Sequence, residues 1–260
     1  MSFTPPTLAS ETIAHIGSFS IRNSMLMGWI AMAVLIIGAL VLKRKGVKLV
    51  PRGFQNFVEV IIGGLYDFFN TVTQDEKQTR KFFPIVATIF IFIITSNWMG
   101  ILPGVGTIGF FEEHGGHEIF VPYFRSGYAD VNMTLALAII SIIATQIFGI
   151  ASLGFFHYAG KFFVNPLRDP IGFFVGFLEL ISELAKMISF SFRLFGNIFA
   201  GEVLLVVIGF LAPFIAPIPF YGLELFVGFV QALVFAILTL VFMKMAVTSH
   251  REVTHSAEAH

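Results

Sequence analysis

The sequence contains no cysteine, and only 12% of its 260 residues are charged, with sixteen basic and sixteen acidic side chains in balance. The absence of cysteine excludes disulfides and thiolate metal sites. Soluble domains carry about 25% charged residues, whereas 56% of this chain is hydrophobic and its mean hydropathy is +0.85. These proportions predict an all-α integral membrane protein. Its first partner is the lipid bilayer, and we expect no nucleic-acid partner.

A nucleotide-binding loop is also missing. The nearest match, around Gly154, Gly160 and Lys161, has a spacing one residue too long and no Ser or Thr to hold Mg²⁺. The first seventeen residues have neither the basic nor the apolar region of a signal peptide, so we expect no cleavage there. A soluble type of nucleotide enzyme is therefore not expected.

Long apolar runs predict five membrane passes, because about 18 apolar residues are enough for one pass. A further stretch has apolar side chains at helical spacing but too many polar interruptions for a pass, which predicts an amphipathic helix at the membrane surface. The single membrane domain (1–260) then comprises an external arm (1–24), a first span (25–42), the interfacial helix (51–72), a second span (84–102), an external loop (103–128), a third span (131–156) and a strongly tilted helical hairpin (171–210 and 220–249).

The basic residues orient these passes, because loops rich in Lys and Arg face the cytoplasm. We predict an external N-terminus and a cytoplasmic C-terminus. Arg22 and Arg125 are then the external basic residues, and Lys186 and Arg193 lie within the membrane. The other twelve are cytoplasmic: Lys43, Arg44, Lys45, Lys48, Arg52, Lys77, Arg80, Lys81, Lys161, Arg168, Lys244 and Arg251.

Two smaller groups of polar residues allow alternative interpretations. The acidic and histidine side chains within residues 112–118 could ligate a metal, but such clusters in a glycine-rich loop are usually solvated, so we expect no metal. Thr134, Ser141 and Thr145 share one face of the third span. We expect them to hydrogen-bond to neighbouring helices, and lining an aqueous path is the alternative.

Residues 171–210 are the most informative stretch, because about forty residues without an internal proline would form a helix of roughly 60 Å, twice the hydrocarbon thickness. Such a helix must tilt strongly or break at a glycine, and the sequence leaves both open. On a helical wheel, one face carries a polar stripe within about 40° of Arg193. The polar stripe consists of Glu179, Ser182, Lys186, Ser189, Arg193 and Asn197.

Further polar residues lie away from this stripe. Glu202 falls about 180° from Arg193 and roughly 13 Å further along the helix. Glu224 and Gln231 share a face of the final helix, which an antiparallel hairpin brings close to Glu202 and Arg193. The pattern indicates two partial polar routes, one on each side of Arg193.

An arginine within the membrane needs an explanation, because its insertion costs about 3 kcal/mol or more and its guanidinium cannot lose a proton. It can repel cations and attract a carboxylate, but it cannot relay protons. The structural alternative is an internal salt bridge with Glu202 or Glu224. The opposite wheel face argues against Glu202 and leaves Glu224 open.

The segment SFRLFGNIFAGE (191–202) resembles subunit a of the F-type ATP synthase, the membrane-embedded stator of that complex. Supporting segments are SNWMGILPG (96–104), ADVNMTLALA (129–138), Lys186, and Gln231 within VQALVFAILTLVF. The resemblance extends over residues 51–249. The two blocks around Arg193 and Gln231 are highly specific when they occur together.

The resemblance implies a proton-translocating function with no catalytic site and no cofactor of its own. Arg193 then faces a ring of c subunits, with Ser189 on the same face, and separates two half-channels. The resemblance implies an inlet through Glu202 and Glu224, neighbours of the arginine at Asn197 and Gln231, and an outlet near Glu179 and Lys186. Its partners are the c-subunit ring and the b-type peripheral stalk, in a bacterial inner membrane or an organellar one.

The sequence departs from relatives at three positions. Many relatives have His where this chain has Glu224 or Glu202, so which glutamate passes the proton stays open, and so does the choice of proton over sodium. A carboxylate found in some relatives is Gly100 here. A secondary transporter or a channel is the rival function, but the chain shows no internal repeat, and one permanently charged arginine suits a pore poorly.

Overall fold

The computed structural model describes residues 10–17, 19–46, 48–102, 104–114, 117–160, 162 and 170–248. Within these residues the chain forms seven α-helices, one short 3-10 helix and four short strands. Five of these helices are long and apolar enough to cross a membrane. This result confirms the predicted all-α integral membrane class.

The helices follow the apolar runs, and the strands lie in the connecting segments. The helices are α1 (Asn23–Lys45), α2 (Phe54–Thr73), α3 (Glu76–Gly100), α4 (Val131–Leu153), α5 (Phe155–Ala159), α6 (Pro170–Leu211) and α7 (Pro217–Val247), with a 3-10 helix at Gly127–Ala129. The strands are β1 (Thr12–Ile16), β2 (Phe19–Arg22), β3 (Gly109–His114) and β4 (His117–Pro122). They pair as two antiparallel hairpins, β1 with β2 and β3 with β4. The sequence analysis predicted no strand in either segment.

Local signals set the helix ends. The Asp75 side chain accepts hydrogen bonds from the backbone N–H groups of Lys77 and Gln78 and so caps α3. Asp130 caps α4 in the same way through the N–H of Asn132. Pro217 opens α7, where its missing N–H has no intrahelical partner to lose.

Helix α3 and helix α7 lie at the centre of the bundle. Helix α3 contacts α1, α2 and α7, whereas α4 packs against both α6 and α7. Their shared core is apolar and aromatic, and its largest fully buried side chains include Phe82, Val86, Ile93, Leu194, Phe235, Leu240 and Met243. Helices α1 and α6 keep most of their large apolar side chains on the outside, as expected for surfaces that face lipid or a partner.

The hydroxyl face of α4 joins it to its neighbours. Thr134 shares a hydrogen bond of 2.9 Å with Ser191 of α6, and Ser141 shares one of 2.8 Å with Thr239 of α7. Both pairs are buried, and Thr145 donates to the backbone of Ser141 within α4. The predicted interhelical hydrogen bonding is therefore confirmed for Thr134 and Ser141.

The long helix α6 is continuous over 42 residues. The sequence left open whether it breaks at Gly196, Gly201 or Gly209, and all three lie inside the helix. Its length is about 63 Å at 1.5 Å per residue. Its strong tilt in a membrane stays a prediction.

The N-terminal hairpin is fastened to the bundle through Asp130. This carboxylate accepts hydrogen bonds from Ser10 and Ser24, and Arg22 Nη1 lies 3.7 Å from it. Burial opposes ionisation of Asp130, but the hydrogen bonds from Ser10, Asn132 and Ser24 outweigh it and lower the pKa of the carboxyl below its usual value. The ionised carboxylate thus holds the arm against the start of α4. The side chains of residues 112–118, considered above for a metal, lie outside the described part of the structure.

Candidate functional site

The polar stripe of α6 lies on the outer surface of the bundle. Ser189, Arg193 and Asn197 are exposed, whereas Leu194 and Ile198 of the same helix are buried. Helix α6 packs against α4 and α7. Large exposed apolar side chains, among them Ile188 and Phe192, flank the stripe. Arg193 is therefore a cation on a mainly apolar outward face, at the middle of a helix long enough to span a membrane.

Arg193 has few polar contacts. Its Nη2 lies 3.4 Å from Ser189 Oγ, one helical turn away. It forms no salt bridge with any described residue. The internal pair with Glu224, considered above as the structural alternative, is therefore not formed. The positive charge of Arg193 is consequently left uncompensated within the described part of this chain.

Asn197 links the outer stripe to α7. Its Nδ2 donates a hydrogen bond of 2.6 Å to Gln231 Oε1. Gln231 itself is buried, and its Nε2 has no hydrogen-bond partner among the described residues. A buried amide with a spare donor usually binds water. The Asn197–Gln231 pair therefore places a polar position beside Arg193, between α6 and α7.

Glu202 points away from the stripe and pairs with Arg125. The guanidinium Nε lies 3.0 Å from Oε1 and 3.3 Å from Oε2 of Glu202, and Nη2 lies 3.3 Å from Oε2. The Arg125 side chain is 5% exposed and the Glu202 side chain 24%. The sequence analysis counted Arg125 only as a charge of the external loop. The structure shows that it is buried in the bundle as the ion-pair partner of Glu202.

A cavity of about 310 Å³ adjoins this pair, near the α6–α7 turn. The Glu202 cavity, as we call it, is lined by Asn97 and Gly100 of α3, by Arg125 and Ser126, and by both glutamates of the hairpin, Glu202 and Glu224. Two of its polar atoms, Asn97 Oδ1 and Ser126 Oγ, have no hydrogen-bond partner among the described residues. A cavity of this size and polarity has room for water.

The second glutamate approaches the backbone of α6. Glu224 is buried on α7, and its carboxyl group lies directly over Gly201. A Cβ atom at position 201 would collide with that carboxyl. Glycine is therefore required at position 201, because it lets the Glu224 carboxyl approach the backbone of α6 one residue before Glu202.

Gly100 has a similar role on the opposite wall of the cavity. A Cβ atom at this position would lie 2.8 Å from Ser126 Oγ. A larger side chain at position 100 would displace Ser126, the residue next to Arg125. The glycine and the buried loop of this chain therefore fit each other.

The other end of the stripe is rich in charged groups. Lys186 Nζ lies 2.7 Å from Glu183 Oε1 and 4.8 Å from the centre of the Phe242 ring. Tyr158 of α5 donates a hydrogen bond to Gln146 of α4. Burial, and after it the negative charges of Glu183 and Glu179, raises the pKa of Tyr158 to about 12. Glu179 and Lys186 thus belong to one electrostatic cluster near α5.

Comparison with known proteins identifies the family. The family model of the ATP synthase A chain matches residues 25–244. The chain belongs to this family. It is 35% identical over 242 residues to the ATP synthase subunit a of Syntrophobacter fumaroxidans, which covers 91% of this chain and 89% of the relative.

Two further members of the family are similar over most of their length. The ATP synthase subunit a of Campylobacter jejuni subsp. doylei is 36% identical over 222 residues, with 84% of this chain and 86% of the relative covered. That of Trichlorobacter lovleyi is 33% identical over 236 residues, with 90% of each chain covered. The resemblance inferred from the motifs around Arg193 and Gln231 is thus confirmed.

The site residues inferred from that resemblance form three groups. Ser189, Arg193 and Asn197 share the outer face of α6, and Gln231 touches them through Asn197. Glu202 and Glu224 share the Glu202 cavity. Glu179 and Lys186 lie at the α5 end. The contacts of Arg125, Gly201 and Tyr158 were not predicted, because they join different elements of the fold.

Proposed function

We propose that the chain is the proton-translocating stator subunit of an F-type ATP synthase, with Arg193 as the group that separates two half-channels. The observation that carries the proposal is the position of Arg193, which is exposed at mid-helix on an apolar face and has no ion-pair partner among the described residues. Its counter-charge is therefore expected from another subunit. A carboxylate on a ring of c subunits is the partner that the family implies.

The charge of Arg193 explains how leakage is prevented. A guanidinium stays protonated under all physiological conditions, so it cannot pass a proton along. It favours the ionised form of a carboxylate that approaches it. A ring carboxylate that reaches Arg193 must therefore have released its proton to the outlet side, and direct passage between the two routes is blocked.

The two routes occupy different faces and depths of α6. The Glu202 cavity supports an inlet, because its glutamates and its polar atoms without a partner among the described residues can bind the water through which protons move. The cluster of Glu179, Glu183 and Lys186 supports an outlet at the opposite end. A proton that crosses the potential releases about 2.3 kcal/mol per 100 mV. Because the routes do not join, that energy is available only when the ring turns.

The remaining assignments follow the same proposal. The chain has no catalytic site of its own, and ATP chemistry takes place on other subunits. Its partners are the c-subunit ring and a b-type peripheral stalk. We place it in a bacterial inner membrane, with the N-terminus outside, the C-terminus in the cytoplasm and the proton as the transported ion.

Substitution of the arginine tests the proposal. In vesicles that hold the complete complex, we expect Arg193→Ala to abolish ATP synthesis and ATP-driven proton pumping, because nothing then enforces release of the proton to one side. A passive proton leak is expected to appear when the ATPase is not running. The ATP-driven pumping and the passive leak are both measured with a pH-sensitive dye. Arg52→Ala, which removes an exposed cation at the start of α2, is the control and is expected to pump normally.

Retention of ATP-driven pumping in Arg193→Ala would refute the role assigned to the arginine. The contact with the ring is checked separately, since the natural chain has no cysteine. A Ser189→Cys variant is expected to cross-link to a cysteine placed on the ring, whereas Glu202→Cys is not.

A further inference from the structure

The ion pair between Arg125 and Glu202 divides the two glutamates of the cavity into different kinds of group. The planar guanidinium donates to both carboxylate oxygens of Glu202, through Nε and Nη2. Such bidentate pairs hold the carboxylate in one position and favour its ionised form. A proton that reached Glu202 would compete with the guanidinium for the same two oxygens. Glu202 is therefore built as a fixed group.

Glu224 is placed differently. It forms neither a hydrogen bond nor an ion pair with any other residue in the described part of the chain. Its carboxyl rests on the backbone at Gly201 and lines the cavity. It is the cavity carboxyl whose oxygens are not already engaged by a cation. Water in the cavity is thus its available proton donor and acceptor.

We propose that Arg125 is a positioning residue that holds Glu202 as a fixed, ion-paired carboxylate, and that Glu224 is the group that carries the proton through the cavity. The inference rests on the proposed function and deepens it. In each cycle the Glu224 carboxylate takes up a proton that reaches it from outside through the cavity water. It then passes this proton to a carboxylate on the c ring. Glu202 keeps its charge throughout, and Arg125 balances it.

The surroundings of Glu224 support this division of roles. The charged and titratable groups that line the same cavity are Arg125 from the loop, Glu202 from α6 and Tyr221 from α7 itself. Helix α3 contributes only neutral groups, Asn97 and Gly100 among them. With Arg125 in place, the charge of the neighbouring Glu202 is neutralised. Without Arg125, Glu224 would exchange protons beside the uncompensated negative charge of Glu202.

A double-mutant cycle in the complete complex tests the proposal. The variants are Arg125→Gln, Glu202→Gln, both together, Arg125→Lys, and Glu224→Gln. ATP-driven proton flux into vesicles is measured from pH 5.5 to 9. We expect Arg125→Gln alone to lose about tenfold in flux, because one member of a partly buried pair is left without its partner. Arg125→Lys, which keeps the charge, is expected to restore most of it.

The double variant Arg125→Gln/Glu202→Gln shows whether Glu202 carries protons, because it removes both charges and leaves no unpaired charge. We expect its flux to return to within about threefold of the natural chain, with the midpoint of the flux–pH profile unchanged, and Glu224→Gln to lose flux in every background. Should Arg125→Gln not assemble, the neutral double variant and Arg125→Lys still give the comparison.

Three results would overturn the inference. One is a double variant as inactive as Glu224→Gln, which would make Glu202 a proton carrier. Another is a displaced pH midpoint in the double variant, and the third is normal flux in Arg125→Gln. Arg193→Ala is measured in parallel. If it keeps pumping, the proposed function itself fails; if it stops pumping while the double variant is also inactive, only the roles of Arg125 and Glu224 fail.

Discussion

At the scale of single residues, Gly201 is a position at which a side chain of α7 lies directly against the backbone of α6. The carboxyl of Glu224 lies where a side chain at position 201 would begin. The sequence places this glycine in the segment SFRLFGNIFAGE (191–202), but only the structure shows its contact with Glu224. Its partner is on another helix, 23 residues further along the chain.

Substitution of this glycine is expected to displace the carboxyl of Glu224, which we propose as the proton carrier. In Gly201→Ala the new methyl group must push Glu224 aside, and overpacking of this kind costs about 1–3 kcal/mol. We expect proton flux to fall at least as far as in Arg125→Gln, while the complex still assembles. Flux is measured by dye quenching, and assembly by copurification of the c ring.

Gly222→Ala is the matched control, because it makes the same change on α7 with no atom within 4 Å of the new Cβ. It is expected to leave flux unchanged. If Gly201→Ala behaves like Gly222→Ala, the position assigned to Glu224 is wrong.

At the scale of helices, α3 holds α7 through two neighbouring side chains. Asn97 Nδ2 donates to the backbone oxygen of Gly228 at 3.0 Å, and Trp98 Nε1 donates to that of Leu225 at 3.1 Å. These carbonyls lie within one turn of Glu224. The contact between α3 and α7 thus fixes the rotation of α7, and with it the direction in which Glu224 points.

The two tryptophans of the chain provide a controlled measurement of this contact. Trp98 and Trp29 are 44% and 45% exposed, but of the two indole groups only that of Trp98 donates a hydrogen bond to another described residue. We expect Trp98→Phe to lower the free energy of unfolding by about 0.5–1.5 kcal/mol, the usual worth of one such bond. Trp29→Phe is expected to change it by less than about 0.5 kcal/mol.

Thermal unfolding of the two purified variants in the same detergent measures the difference. Equal melting temperatures for Trp98→Phe and Trp29→Phe would mean that the bond from α3 does not stabilise α7.

The long apolar helices were predictable from sequence, whereas the hairpins and the short helix α5 were not, for physical reasons. A membrane pass requires a long apolar run, so composition alone locates α1 and α4. The strands of the β3–β4 hairpin read GFFEEH and HEIFVP, which do not alternate apolar and polar residues as a half-buried strand would. Its signal is the Gly115–Gly116 pair between the strands, a pair that favours tight turns.

The site was predictable in part. A helical wheel separates Glu202 from Arg193 because helix geometry fixes the angle between them. The wheel cannot say what lies opposite Glu202. That partner, Arg125, is 77 residues away in a loop, and only the tertiary structure brings the two together.

At the scale of the whole molecule, the Glu202 cavity and the polar stripe lie on different faces of one continuous helix. Val206 lines the cavity, and Ser182 belongs to the stripe, about 36 Å away along α6 at 1.5 Å per residue. Arg193 lies between them. Under the proposed function, each side of the membrane has access to its own part of α6 and to no other part.

Labelling from each side of the membrane tests this separation, because the natural chain has no cysteine. With a membrane-impermeant maleimide, we expect Val206→Cys in the complete complex to react only from the outside and Ser182→Cys only from the cytoplasm. Detergent-solubilised samples give the total reactive fraction. The same two variants combined with Arg193→Ala show whether the arginine maintains the barrier. Reaction of either cysteine from both sides, with Arg193 present, would mean that the two routes are continuous, and coupling would then require a barrier elsewhere.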